Sequence, residues 1–345
     1  VLLGVLPLLL SGVQAQERAA ARLILPHEDV VTDAAWSADE RWIATASEDG
    51  GVRVWDAESG ALRVRWAQGA AVRGVRWRSD GQAVLAWSQD GAVRLWRMGQ
   101  DEPVWTVTQA GGVRGARWDA DQARVMTWGA AGITALWSAA DGALLARFEH
   151  PAAVLSADWN ADEKHLHTFS ADGRVTVWDV NAGTRLGQYN FGAGALGAAW
   201  NADESALLVW TKLDGVQVWT PPAIAPRLSL PHRTFVQGAA WTADESRILS
   251  WSADDTVKLW DADNGAALLS LKHIDWVEGA RLSADEMRVL SWAYDSVMLW
   301  QADGAPLAEL RHDLLVMGAA WNADETQVLS WSWDKTARVW AVPSF

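Results

Sequence analysis

The sequence predicts an all-β ring, an eight-bladed β-propeller of four-stranded blades, on three observations. A tryptophan closes a short apolar run eight times, at Trp55, Trp96, Trp137, Trp178, Trp219, Trp260, Trp300 and Trp340, at intervals of 41 and then 40 residues. A fixed period of this length marks a repeat array in which each unit packs on its neighbours. Within each period, short apolar or alternating runs are separated by turns rich in Asp, Asn and Gly, the grammar of strands joined by tight hairpins. The last repeat ends at Phe345 with no room for a fourth strand, while Ala20 to Leu25 is a spare strand at the other end. The N-terminal segment is therefore expected to complete the last blade and remove an open edge.

In chain order, Val1 to Leu10 is almost wholly apolar, and Ser11-Gly12-Val13-Gln14-Ala15 follows with compact residues at the two positions a signal peptidase reads. Residues 1–15 read as a truncated secretory signal, and the expected localisation is exported, periplasmic or extracellular. The alternative is the tail of a membrane anchor, although ten apolar residues alone are too few to span a bilayer. Residues 16–345 form the repeat domain. Repeat six illustrates each copy: Val236 to Trp241, Arg247 to Ser252, Val257 to Trp260 and Ala267 to Leu271 read as its four strands.

The net charge of −14 argues against binding to a nucleic-acid backbone or an anionic membrane surface, both of which require concentrated Lys and Arg. The absence of cysteine excludes disulfides and thiolate chemistry. The 26 tryptophans sort by repeat position: eight close the third strand, seven end the first, and six, at 87, 128, 210, 251, 292 and 331, lie on the second. These read as packing, with the last six expected to fill space between blades. Trp42, Trp66, Trp105, Trp276 and Trp333 remain outside the pattern.

A four-stranded unit of this period closed by tryptophan resembles the WD40 repeat. The closing Trp-Asp pair survives at Trp55-Asp56, Trp178-Asp179 and Trp260-Asp261. The resemblance implies a hydrogen-bonded tetrad, assigned whole in four repeats: His27, Ser47, Asp49 and Trp55; His150, Ser170, Asp172 and Trp178; His232, Ser252, Asp254 and Trp260; His312, Ser332, Asp334 and Trp340. Gln68, Gln109 and Phe191 replace the histidine in repeats two, three and five. Repeat three is expected to lose the tetrad apart from Trp137, and repeat seven, with Ala293 and a shorter turn, to distort it. The family binds partners on the face formed by the loops leading into the first strands and between the second and third strands.

On that face, bulky residues gather in neighbouring repeats. Phe235, Trp276, Leu315 and Val30 stand three residues after the tetrad histidine in repeats six, seven, eight and one, where repeats two to five have Ala71, Gly112, Ala153 and Gly194. Tyr294 and Trp333 add to the arc from the turn before the tetrad Asp. These six residues form the expected site for a protein or peptide partner. The opposite face carries acidic turns such as 160 to 163 and 242 to 245, read as turn chemistry and solubility. His165 and His167 share one side of a strand beside Asp162 and Glu163, a weak candidate pair for zinc that lacks a firm third ligand.

Glycines at 74, 115, 197, 238, 279 and 318 lie on the innermost strands, so the channel is expected to offer no acid, base or nucleophile. The expected function is a non-catalytic platform without cofactor or resident metal, binding a protein or peptide partner, with a monomer favoured. The alternatives are a repeat module of a larger membrane-linked sensor or signalling protein, and an exported ligand- or metal-binding propeller enzyme.

Overall fold

A computed structural model of the chain describes residues 19–343, so the proposed signal segment lies outside the described residues. The described residues form eight four-stranded antiparallel sheets arranged as blades. In blade six the strands are Val236–Trp241, Arg247–Ser252, Thr256–Asp261 and Ala267–Lys272, and the same order from the innermost strand outward recurs around the ring. Ring closure occurs as expected. Leu23–Pro26 pairs antiparallel with Thr336–Ala341, setting Leu23 against Val339 and Pro26 against Thr336.

The core lies between blades, and its commonest device is a glycine–tryptophan pair. On each innermost strand carrying glycine, the residue directly opposite on the second strand is one of the six second-strand tryptophans, as in Gly238 opposite Trp251 and Gly318 opposite Trp331. The indole lies across the glycine so closely that a Cβ there would collide with the ring. It then reaches the first strand of the next blade: Trp87 packs with Val113 and Ala116, and Trp331 with Val31 and Ala34. The expectation that these indoles fill inter-blade space holds, and the glycines are what make room. Where the pair is absent both partners change, to Asp33 opposite Ala46 and Ser156 opposite Phe169.

The acidic turns do more than carry charge. In Ser-Ala-Asp-Glu and its variants the Asp caps its own turn, as when Ser37 Oγ donates to Asp39 Oδ1 over 2.6 Å. The Glu, held at positive φ, reaches back to the preceding blade. Glu163 accepts the Ala120 N–H at 2.5 Å, Glu245 that of Ala202 at 2.6 Å and Glu286 that of Ala243 at 3.1 Å, while Glu40 of blade one accepts from Ala323 of blade eight. Arg124 and Arg247 pair with Glu163 and Glu286 from the strand that follows each turn, and Arg288 pairs likewise with Glu325, which accepts from Ala284. The acidic ring is thus largely a set of blade-to-blade latches.

Candidate partner-binding face

The polar core beneath this face is wired differently from the expected tetrad. The hydroxyl joining imidazole to indole belongs to Thr45, Thr168, Ser250 and Ser330, two residues before Ser47, Ser170, Ser252 and Ser332. In blade eight, Trp340 Nε1–H donates to Ser330 Oγ at 2.8 Å, and Ser330 Oγ lies 2.7 Å from His312 Nε2. In blade six, the corresponding distances through Ser250 are both 2.8 Å. Residues two apart on a strand share a side, so the register across the blade decides which hydroxyl meets the ring. Ser252 and Ser332 instead hold the turns, donating to the carbonyls of Phe235 and Leu314 and accepting from the N–H groups of Asp254 and Asp334.

The Asp joins the chain in only two of the four assigned repeats. His232 Nδ1 lies 3.0 Å from Asp254 and His312 Nδ1 2.9 Å from Asp334. Thr256 and Thr336, two residues after each Asp, hydrogen-bond its other oxygen and aim the carboxylate at the imidazole. Blades one and four have Gly51 and Arg174 there. Asp49 accordingly pairs with Arg53 and Asp172 with Arg174, and the histidines donate to carbonyls instead, His27 to Leu25 at 3.0 Å and His150 to Gly132 at 3.2 Å.

Two repeats expected to be damaged keep most of the chain. In blade three, Trp137 Nε1–H donates to Thr127 Oγ1, which donates to Gln109 Oε1 at 2.6 Å. In blade seven, Ser291 joins Trp300 and His273 at 2.8 and 2.7 Å, although no carboxylate meets the far imidazole nitrogen. Blade two has Ala86 in place of the hydroxyl, and Gln68 Oε1 takes the Trp96 N–H directly at 3.0 Å. In blade five Phe191 lies edge-on to Trp219 at 5.1 Å, and the Trp219 N–H donates to Gln217 Oε1 at 3.1 Å.

The partners fix the imidazole tautomer in blades six and eight: Nε2 accepts from the hydroxyl and Nδ1–H donates to Asp. Burial keeps the rings neutral, lowering His27 and His273 to about 4, with Arg53 adding to the effect at His27. Burial would raise Asp254, but hydrogen bonds from Thr256 and the Arg233 N–H, together with His232, hold it at about 2.

Above this layer, Trp276, Tyr294 and Trp333 are 52%, 51% and 48% exposed, and Phe235, Leu315 and Val30 are half-buried between them. Ile274, Leu314 and Met317 are also exposed and extend the apolar surface, a contribution the sequence reading missed. Phe235 meets Trp276 edge-on with ring centroids 5.5 Å apart. Trp333 N–H donates to Leu315 O at 2.9 Å, and Ala253 and Glu48 donate likewise to Phe235 and Val30. The same bond joins Gln89 to Ala71 and Ala171 to Ala153 in blades with small residues there. In blades six, eight and one the two loop positions are therefore bonded to each other, whereas in blade seven Tyr294 O accepts from the Val316 N–H of blade eight. In blade seven, Ala293 pairs with Ser296, leaving Tyr294 and Asp295 as a two-residue turn with Tyr294 at φ 43°. The other unassigned indoles belong to the core or its edge: Trp66 stacks on Trp96, Trp105 donates to Ala139 O, and Trp42 lies half-buried beside Arg41 and Arg63.

His165 and His167 do share a side, but the carboxylate between them is Glu204 of the next blade, 3.1 Å from a nitrogen of each. Asp162 is occupied by Lys164, and Glu163 by Ala120 and Arg124. His165 stands where Arg124, Arg247 and Arg288 stand in other blades, so the contact is a variant latch. Among the described residues no group of three or more His, Cys, Asp or Glu side chains is arranged to hold a metal ion. A cavity of about 510 Å³ lies at this seam, lined in part by Asp158, His167, Phe169, Trp200 and Trp210.

Comparison with known proteins accords with this architecture. The WD40 family model, described as WD domain, G-beta repeat, matches residues 22–56, 142–179, 226–261 and 304–341. These segments span the four repeats in which the sequence assigned the tetrad whole. The chain is a WD40-like eight-bladed β-propeller. Among solved structures, that of the computationally designed Ika8 protein is similar, with a TM-score of 0.79 and 20% identity over 95% of this chain and 100% of that one, which shows the fold alone. No curated protein gives a significant match.

Proposed function

We propose that the propeller is a rigid, non-catalytic platform that binds a protein or peptide partner over blades six, seven, eight and one. One observation carries this reading: Trp276, Tyr294 and Trp333 are each about half exposed on a single arc, in which backbone hydrogen bonds tie Tyr294 to Val316 and Trp333 to Leu315. Large aromatics held in a fixed geometry lose little conformational entropy on binding and dominate interface energetics. Family likeness agrees, since WD40 propellers typically act as interaction scaffolds. Export is part of the proposal and rests on the apolar run and the Val13 and Ala15 spacing.

The test is affinity capture from the source organism with residues 16–345 as bait, beside the same bait carrying Trp276→Ala and Trp333→Ala. The expected result is a protein recovered by the parent and lost with the double variant. Equal recovery by both baits would remove the arc as the site.

A further inference from the structure

The channel does not present the bare glycine wall that the sequence suggests. Each innermost strand carries a β-bulge at its second residue, as between Val72 and Gly74 and between Val113 and Gly115. A bulge leaves one residue unpaired and re-aims its side chain. In blade two Arg73 and Arg76 are consequently both exposed while Val72, Gly74, Val75 and Trp77 are buried, and in blade three the same two positions bring out Arg114 and Arg117. A recess of about 310 Å³ is lined by these four arginines together with the edges of Trp87 and Trp128. Arg281 of blade seven is not part of this lining but is exposed on its own innermost strand, as is Glu278 at the bulge, and lies within electrostatic reach of Arg76 and Asp33.

This concentration of guanidinium groups is notable in a chain of net charge −14. Three of the five are answered internally: Arg73 by Glu48 at 2.9 Å, Arg76 by Asp33 at 2.6 Å, and Arg117 by Asp158. Asp33 is fully engaged, also accepting the N–H groups of Ala34 and Val75. The side chains of Arg114 and Arg281 are exposed on their strands and, among the described residues, make no hydrogen bond or ion pair. Uncompensated guanidinium groups lining a narrow channel repel one another and favour an incoming anion. Positions 73 and 114 lie about 10 Å along the strand from 76 and 117, so an anion meeting both levels needs more than one charged group. The recess is at the small end of the range for low-molecular-weight ligands and too small for a folded partner.

We propose that the channel binds a small multivalent oxyanion of the polyphosphate or polycarboxylate type, with Arg114 as the principal contact and Arg281 as a second. Arginine suits both chemistries because its planar donor fork engages phosphate or carboxylate oxygens in pairs. The recess adjoins the upper-face arc at Met317, which lines both, and neither variant below replaces Met317, Trp276 or Trp333.

The experiment titrates the full chain with sodium tripolyphosphate and, separately, with citrate by isothermal calorimetry, at low and at raised NaCl. The expected result is saturable binding of at least one of the two, weakened by salt and weakened at least tenfold in Arg114→Gln and in Arg281→Gln. The stronger arm identifies the anionic group. Thermal melts provide a second readout in which tripolyphosphate raises the Tm of the parent by several degrees and that of Arg114→Gln by much less. Failure of both anions to bind the parent, or undiminished binding by both variants, would overturn the proposal.

Discussion

Blades six, seven, eight and one differ from blades two to five both in how their interiors are wired and in what they show to solvent. The first group has an imidazole at every position, His232, His273, His312 and His27, each within hydrogen-bonding distance of a hydroxyl that also holds the blade's indole. The second group has Gln68, Gln109, His150 and Phe191 and closes its blades equally well. Histidine is therefore not what makes a blade here. It accompanies the half of the ring whose upper loops carry Phe235, Trp276, Tyr294, Leu315 and Trp333, while the other half ends in alanine and glycine. A histidine–hydroxyl–indole chain lies under every blade of the aromatic half, whereas the bare loops stand over a mixture of amide, imidazole and phenyl groups.

The largest expected effect tests packing, which the contrast leaves common to both halves. Gly238→Ala should destabilise the protein by about 3 kcal/mol in urea denaturation, because a methyl group there must displace Trp251. Ser156→Ala, at the equivalent point of blade four opposite Phe169, should change stability by less than about 0.5 kcal/mol. Equal losses would show that the glycine–indole pair has no special standing.

Next comes the polar wiring. Ser330→Ala leaves a buried indole N–H and an imidazole nitrogen without their shared partner and should cost about 2 to 3 kcal/mol. Ser332→Ala removes only turn contacts and should cost about 1 kcal/mol. The reverse order would return the bridging role to Ser332.

Acid should act through the same histidines. A ring whose pKa is lowered by folding stabilises the native state fully above its unfolded value of 6.5, and that contribution falls away as pH drops from 6.5 towards the folded value of about 4. Between pH 7 and 5, His27 and His273 should each remove on the order of 2 kcal/mol, measured as the urea midpoint against pH. Asp254 works in a lower window, its contribution being lost only as pH falls below the ordinary carboxylate range towards 2. His273→Gln should flatten the profile between pH 7 and 5.

The smallest effect belongs to the arc itself. Trp276→Ala with Trp333→Ala should change the urea midpoint by less than the equivalent of about 0.5 kcal/mol, since both rings are half exposed. A large loss would make them caps of the blades and not a surface held out for a partner.

Much of the fold was legible because it depends on periodicity. The 41-residue spacing, the count of strands and the spare segment at 20–25 needed no register, and closure by Leu23–Pro26 followed from them. What stayed hidden needed register. Ser250 and Ser252 project to the same side of one strand, so sequence alone could not choose between them as partner of His232. Strict alternation likewise hid the bulges that turn Arg73 and Arg76 into the channel, although the repeated Val-Arg-Gly at 72–74 and 113–115 was there to be read. The latches were hidden because Glu163 and Ala120 meet only across a blade seam. At the candidate site, exposure of Trp276, Tyr294 and Trp333 agrees with the pattern of bulk, while Ile274 and Met317 escaped notice as residues outside the compared positions.

The closing strand also sets how the ring would bear load. Leu23 enters from the face of the acidic latches and Ala341 leaves towards it, so anything fixed to either end holds the aromatic arc pointing away from the attachment. Because both ends leave from the same edge of an antiparallel pair, tension between them opens the contact one rung at a time, beginning with the bond from Arg22 N–H to Val339 O. Tension on one end alone leaves that zipper free of such opening force. The propeller is thus mechanically suited to a single tether and poorly suited to being strung between two.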